Sequence, residues 1–458
     1  MHFISKNITL DSPYWLRESI GNFLLSYYYF LNIRHLRFCR FLAASQWFPR
    51  LKLEQYQTER LKLLLNHAYK NVPYYTEIFI RNKLTPDDFN SIRDLRKLPL
   101  LTKEDIIKNM DKLISRKIDK KYLFSISTSG TTGTPMRFYR DRRYEHTHFA
   151  FYQRMLASLG ISIYRRGVII WLRPFVLNDI SDKYLYLAHA KQLTLATFHK
   201  GLPCWEEKLE FIRKFKPAYI RAGSSVLYDF ACYLKEHNIN DIVFECVFSS
   251  FENLFPHQRQ LIEEQFKCKV YNYYVSQERV VSTFECLRQD GMHIDMERGV
   301  AEIIDDNGEL LPDGKSGRII ATPLHIFAMP LIRYDTGDIG SVSEAPCPCG
   351  RGLPLLQSFD GRISEVIRYK DKLMCPSAFS AVLCKFPNIK ECQFVQEKET
   401  EVVMNIVRRD GFSEDDAKRL IEYLHSLIDE GLGIKLNFVD HIPRTKMGKF
   451  QLVISKLG

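Results

Sequence analysis

The sequence predicts an α/β protein joined to an α+β unit: a large N-terminal domain of layered sheets with a β-subdomain, then a small C-terminal α+β domain. Three observations carry this. Short β-branched or aromatic runs alternate with helical segments from about 124 to 322, antiparallel patterns occupy 299 to 321, and the chain after residue 361 has strand, capped-helix and strand signals of its own. The expected division is a helical region over 1–100, the core of the large domain over 101–361 and the small domain over 362–458.

In chain order, Glu54 to Tyr69 places Leu61, Leu64, Leu65 and Ala68 at helical spacing and stops before Val72-Pro73. This predicts an amphipathic helix packed on a core. Gly167 to Leu172, Ala218 to Ile220, Asp241 to Phe244 and Lys269 to Tyr271 read as strands, with Pro256 to Phe266 as a helix among them, which predicts a largely parallel sheet. Gly299 to Ile304 and Gly317 to Ala321 are separated by the turn signals Asp305 to Gly308 and Pro312 to Gly314, so an antiparallel sheet or barrel is expected after the parallel part. In the tail, Glu391 to Val407 reads as strand, Ser413 as the cap of a helix running to about Asp429, Gly431 as its stop, and Ile434 to Val439 as a last strand.

With 45% hydrophobic and 26% charged residues over 458 positions, the chain can build two or three cores at roughly 150 residues per domain, which excludes disorder, collagen and coiled coil. Lys plus Arg, 65, exceeds Asp plus Glu, 54, by 11. So modest an excess suits an anionic small molecule or an anionic membrane face, or a generally basic surface, and does not indicate nucleic acid. The odd count of 11 cysteines, with no basic-apolar-small signal segment at the start, points to a reducing cytosol with free or metal-bound thiols. The longest uncharged stretch, Ser19 to Ile33, is shorter than the roughly 20 apolar residues that span a bilayer, so no transmembrane segment is expected.

The first chemical signal is Ser127-Thr-Ser-Gly-Thr-Thr-Gly-Thr-Pro135, where hydroxyls alternate with glycines directly after an apolar run. Glycines let backbone N–H groups close around phosphate oxygens, and hydroxyls add donors or a metal ligand. No Lys-Ser/Thr follows the second glycine, so this is not a Walker loop, and composition alone also allows a solvated turn. Four further motifs follow: Tyr274-Val-Ser-Gln-Glu278, Arg333-Tyr-Asp-Thr-Gly-Asp338, Gly361-Arg362 and Pro443-Arg-Thr-Lys-Met-Gly-Lys449.

In that order the five motifs resemble the signatures of the adenylate-forming superfamily of acyl-coenzyme A synthetases, adenylation domains and luciferases. His67 to Tyr75, Cys349-Gly-Arg-Gly-Leu-Pro354 and Gly448 to Lys456 narrow the resemblance to its phenylacetate-coenzyme A ligase-like branch, which includes members associated with capsular polysaccharide loci. The resemblance implies an adenylate-forming ligase: ATP and an organic acid give an acyl-adenylate and pyrophosphate, and a nucleophile, coenzyme A by default, takes the acyl group. Thr131, Thr132, Ser129, Gly130 and Gly133 would hold the β- and γ-phosphates, and Glu278 would help hold Mg²⁺. Asp338 would accept both ribose hydroxyls, Arg362 would lie near the ribose or phosphates at the interdomain joint, and Lys449 would bridge carboxylate and α-phosphate as a compact cation. Two positions depart from the family pattern. Val275 stands where glycine is usual, with consequences for the acyl pocket, and Ser364 stands where Asp or Lys is usual. Two rivals to the coenzyme A reading are transfer to an amine during surface polysaccharide assembly and a non-catalytic nucleotide-binding assembly protein.

Cys286, His293, Cys347 and Cys349 form the compact Cys/His set of the chain and supply the number and chemistry of a structural Zn²⁺ site, Cys286 and His293 flanking the turn Gln289 to Gly291. The same branch tends to carry a Cys/His pair and a Cys-x-Cys at these places. Scattered free thiols are the alternative. Phe23 to Leu31, followed by Arg34, Arg37 and Arg40, sets aromatic bulk beside positive charge, which fits either a peripheral contact with an anionic membrane face or packing on the large domain.

Overall fold

A computed structural model describes residues 19–20, 23, 32–127, 136–171, 184–187, 190–196, 198–199, 202–203, 205–370, 372–379, 382–445 and 450–457. The N-terminal part is helical, with α1 (Ile33–Ser45), α2 (Arg50–Asn71) and α3 (Pro73–Arg81). Helix α2 buries Leu61, Leu64, Leu65 and Ala68 as expected, and proline at the first position of α3 forces the break after Val72. Most of the stretch from Phe23 to Leu31 lies outside the described residues. In α1, Phe38 meets Phe151 and His325 edge-on at 5.6 and 5.2 Å, so that face covers the large domain, while Arg34, Arg37 and Arg40 are exposed. Among the described residues no helix is long and apolar enough to cross a membrane.

A hairpin of β1 (Leu123–Ser127) and β2 (Arg137–Asp141) leads into α4 (Arg142–Ser158). Strands β3 (Gly167–Trp171), β4 (Tyr184–Leu187), β5 (Gln192–Ala196), β6 (Tyr219–Ala222), β7 (Cys246–Ser249) and β8 (Val270–Val275) follow, with α5 (Trp205–Phe215), α6 (Ser224–Glu236) and α7 (Pro256–Phe266) between them. The expected strand over Asp241 to Phe244 is instead an irregular approach to β7, in which Ile242 and Phe244 pack under the sheet as loop side chains. Next come β9 (Ser282–Glu285), β10 (Met292–Ile294), β11 (Gly299–Ile304), β12 (Ser316–Pro323), β13 (Tyr334–Ser343) and β14 (Leu355–Arg362).

The antiparallel strands do not form a separate sheet or barrel. Twelve strands join one sheet in the order β11-β12-β13-β14-β10-β9-β8-β7-β6-β3-β5-β4. Strand β8 makes the joint: Val270 to Asn272 pair in parallel with β7, and Tyr273 to Val275 pair antiparallel with β9.

The tail has its own core, from Ile367 to Val453. The expected strand over Glu391 to Val407 is a hairpin of β15 (Ile389–Lys398) and β16 (Glu401–Arg408); α8 (Glu414–Leu427) follows, then β17 (Gly433–Phe438) and β18 (Val453–Ser455). Ser413 caps α8 by accepting from the Asp416 N–H at 3.1 Å, as expected.

A buried ionic knot ties the large domain together. Arg154 of α4 donates to both oxygens of Glu297 at 2.7 and 3.0 Å and pairs with Asp295; the hydroxyls of Ser45 at the end of α1 and Ser282 of β9 donate to Glu297 and Asp295. All five side chains are buried. Breaking a buried pair from one side leaves charge uncompensated. Arg154→Met is therefore expected to cost about 3–5 kcal/mol, read as a lowered urea midpoint; a loss under about 1 kcal/mol would contradict this account of the knot.

Candidate active site

Strands β3, β6, β7 and β8 run parallel, and their carboxyl ends open onto one crevice, where open α/β sheets bind ligands. A cavity of about 630 Å³ lies there. Its wall includes Tyr274, Glu278, Asp338, Gly361 and Arg362, so five residues from three motifs far apart in sequence converge on one space. Val275 and Ser364, the two departures from the family pattern, also line it. The tail reaches the cavity through Phe450, Gln451 and Leu452. Ser129, Gly130, Thr131, Thr132, Gly133 and Lys449 lie outside the described residues, but Met136 and Phe450, close in sequence to each group, are in the wall.

Each side chain is placed by a specific piece of backbone. Asp338 of β13 sits opposite Arg362 of β14 in the antiparallel register, and Arg362 Nε is 3.5 Å from Asp338 Oδ1. The Asp338 carboxylate raises the Arg362 pKa, and it accepts from the Tyr274 hydroxyl at 2.7 Å. Burial first, and then this carboxylate, push the Tyr274 phenol well above its ordinary value, so Tyr274 stays a donor. Glu278 accepts from the Tyr334 hydroxyl at 3.0 Å, and its second oxygen has no partner among the described residues.

The loop carrying Glu278 is anchored from α4. Arg279, at φ +59°, forms a two-point pair with Glu145 at 2.7 and 2.8 Å, while its carbonyl accepts from the Tyr144 hydroxyl at 3.0 Å. A non-glycine residue at such a φ costs about 1–3 kcal/mol and persists where its surroundings over-determine it. Gly361, at φ +116°, lets the chain leave the large domain: an added Cβ would come within 3.0 Å of Pro376 in the tail.

Successive side chains of a strand point to opposite faces, so Tyr273 and Tyr274 divide the site. Tyr274 faces Asp338 and Phe359, whereas Tyr273 faces Tyr152 and Arg221. On the Tyr273 side two residues escape motif reading. Arg221, at the carboxyl end of β6, lies over Phe251, Tyr273 and Tyr152 at 5.0, 5.5 and 5.6 Å. A charge ending a buried strand is the signal that could have found it. His148 of α4 lines the cavity, and its Nδ1 is 3.1 Å from Arg298 Nη1. No sequence pattern marks it.

The Cys/His set assembles away from this cavity, none of its four members being in the wall. Cys286 and His293 flank the β9–β10 turn and meet Cys347 and Cys349 from the loop before β14. Cys286 Sγ is 3.8 Å from Cys347 Sγ, Cys349 Sγ is 3.3 Å from His293 Nε2, and all four ligand atoms lie within 4.8 Å of one another.

Residues 366–456 match the family described as the CapK C-terminal domain. Over 438 residues the chain is 24% identical to protein CapK of Staphylococcus aureus, covering 94% of this chain and 93% of CapK. It is 26% identical over 356 residues to the phenylacetate-coenzyme A ligase of Thermus thermophilus, covering 74% and 77%. The chain is a homologue of CapK and of the phenylacetate-coenzyme A ligases. The resemblance read from the motifs therefore holds. A crystal structure of 2-hydroxyisobutyryl-CoA ligase in the postadenylation state, in complex with 2-HIB-AMP, has the same fold at a TM-score of 0.74, with 20% identity and coverage of 90% and 91%.

Burial first, and then the charges of Arg279, Arg298, Arg140 and Arg221, hold the His148 pKa well below its usual range. Both causes disfavour the imidazolium, so His148 is expected to stay neutral as pH falls from 7 to 6, where an exposed histidine gains its proton. Imidazole ¹⁵N shifts followed through that range check this; protonation near pH 6.5 would contradict it.

Proposed function

We propose that this protein is an ATP-dependent adenylate-forming ligase that activates an organic acid and passes the acyl group to a thiol, coenzyme A by preference. The observation that carries the reading is the convergence of Tyr274, Glu278, Asp338 and Arg362 on one cavity that the tail enters just after Lys449. In the first step the acid's carboxylate oxygen bonds to the α-phosphorus of ATP, and the bond to the β-phosphate oxygen breaks, releasing pyrophosphate. In the second the thiolate attacks the acyl carbon and AMP leaves. Both steps bring anions together, so pre-set donors and cations carry the catalysis.

Asp338 is suited to the ribose hydroxyls, because an ionised carboxylate only accepts and offers two oxygens with about four lone-pair sites. Glu278, with one oxygen oriented by Tyr334, fits a Mg²⁺ ligand, an ion that takes oxygen donors and would screen the phosphates. The Ser129 to Gly133 run, with Thr131 and Thr132, takes the β- and γ-phosphates, and Lys449 supplies the cation between carboxylate and α-phosphate. The division near 361/362 makes Gly361-Arg362 the pivot on which the small domain presents Lys449 and then withdraws. Exposed Arg34, Arg37 and Arg40 support a peripheral contact with an anionic membrane face in the cytoplasm.

The reading is tested by acid-dependent exchange of labelled pyrophosphate into ATP. Lys449→Ala is expected to lower exchange by several orders of magnitude with nucleotide binding retained, because its ammonium acts on charge that develops in the transition state. Near-normal exchange in the folded variant would overturn the assignment of Lys449.

The Cys/His set is suited to a structural Zn²⁺. Tetrahedral zinc with Zn–S bonds near 2.3 Å sets sulfur atoms about 3.8 Å apart, and Cys286 and Cys347 stand at 3.8 Å. His293 would bind through Nε2 while its Nδ1–H faces the Leu353 carbonyl at 3.4 Å, the usual outer support of a ligating imidazole. Four ligands leave no open position, so the metal would pin the β9–β10 turn to the loop before β14 and take no part in the chemistry. Elemental analysis of untagged protein is expected to find about one zinc per chain, and Cys347→Ser with Cys349→Ser to lose both zinc and thermal stability; zinc-free wild type would refute the site.

A further inference from the structure

The Tyr273 side of the cavity has a charge balance that an apolar acid would not satisfy. Arg221 donates from Nε to the Ser250 hydroxyl at 3.3 Å, is packed against three aromatic rings and has no carboxylate within ion-pair distance among the described residues. In the carboxylate Glu252, also in the wall, one oxygen accepts from Ser225 N and Oγ, at 3.1 and 2.6 Å, at the N-terminus of α6, where the helix dipole favours negative charge, and the other is buried without a hydrogen-bond partner among the described residues. Arg221 therefore brings to the cavity a guanidinium that no ion pair among the described residues engages.

His148 adds a donor of defined orientation. A guanidinium can only donate, so the contact from Arg298 Nη1 makes His148 Nδ1 the acceptor and leaves the ring proton on Nε2. That N–H has no partner among the described residues. The buried hydroxyl of Tyr273, also in the wall, likewise has no partner among the described residues. Groups of this kind are seldom left unpaired in a native site, and a ligand oxygen is the natural partner.

Resting on the activation reading above, we propose that the acid this protein activates carries a second, anionic oxygen-rich group, most simply a second carboxylate, which Arg221 receives with His148 beside it. The geometry separates this from nucleotide binding, because Asp338, Arg362 and Tyr274 occupy the opposite face of β8. It also turns a shared fold to a different acid: an arylacetate would fill the space between Phe251 and Tyr273 and leave Arg221 buried against it without a counter-charge, an arrangement that costs binding.

The experiment compares matched acids in the pyrophosphate exchange assay: adipate against hexanoate, and 4-carboxyphenylacetate against phenylacetate. The wild type is expected to favour the dicarboxylic member of a pair by at least about tenfold in kcat/KM, the usual scale for one charge-assisted hydrogen bond. Arg221→Met is expected to lower that ratio at least tenfold, chiefly through KM for the diacid, and Arg221→Lys to restore part of it. Equal or better exchange with the monocarboxylic members overturns the inference and leaves the activation reading standing. A rise in KM for ATP that is the same with every acid assigns Arg221 to the nucleotide and also overturns it. Exchange with no acid, in protein that binds ATP, overturns the activation reading itself and the inference with it.

Discussion

Strand β8 has to pair in two directions at once, and the rest of the molecule is arranged around that constraint. Its first three residues continue the parallel run, whose carboxyl ends define the crevice; its last three begin the antiparallel run that carries Asp338 and Arg362. A slip of one residue would exchange the faces of Tyr273 and Tyr274, sending the phenol that holds Asp338 away from it and bringing the other across. The switch from parallel to antiparallel pairing therefore decides which groups of the cavity share a side with Tyr274 and which with Tyr273. The loop beyond β8 inherits that precision: Glu278 is oriented by Tyr334 of β13 and Arg279 by Glu145 of α4, one contact from the sheet and one from the helical layer.

Most of the architecture was legible in the sequence, because local signals agreed with the global arrangement. Proline after Val72, serine before α8 and the Asn-Gly and Asp-Gly turns between β11 and β12 each impose a backbone outcome regardless of what packs around them. Where the reading failed, burial had overridden propensity. Asp241 to Phe244 has β-branched and aromatic residues but lies one step too early to pair with β6 and β8, and its apolar side chains are used as loop packing instead. Glu391 to Val407 contains two strands because Thr400, between β15 and β16, sits in a turn that hydrophobic alternation does not reveal. The continuity of the twelve-stranded sheet was invisible for a related reason: a strand's pattern records which faces are buried, not which neighbour it hydrogen-bonds.

The candidate site divides in the same way. Glu278, Asp338 and Arg362 sit in motifs whose glycines, tyrosines and turn residues have to be present together, so their neighbourhood could be read from the family resemblance those motifs carry. The four members of the Cys/His set could be found because thiols and an imidazole flanking a turn are few enough to count. His148 and Arg221 have no such context. Each is a single polar residue in an ordinary helix or strand, and its meaning comes from what three-dimensional packing places opposite: Arg298 against one ring nitrogen of His148, and three aromatic rings around Arg221.

That distinction follows from how such a fold is used. The chemistry shared by adenylate-forming ligases acts on groups common to every substrate, phosphates and a carboxylate, so it can be written into short segments of backbone and a few fixed side chains. The remainder of the acid varies, and a scaffold accommodates it through isolated residues at the carboxyl ends of the parallel strands, each of which can change without disturbing the sheet. Arg221 meets this description: it is the last residue but one of β6, its backbone held in register by Ile169 of β3 and Phe248 of β7, while its side chain lines the cavity. Val275, where a glycine would leave space, and Arg221, where an apolar residue would remove a cation from the wall, both belong to the side of the cavity proposed above for the acid, and leave the side proposed for the nucleotide as the motifs define it.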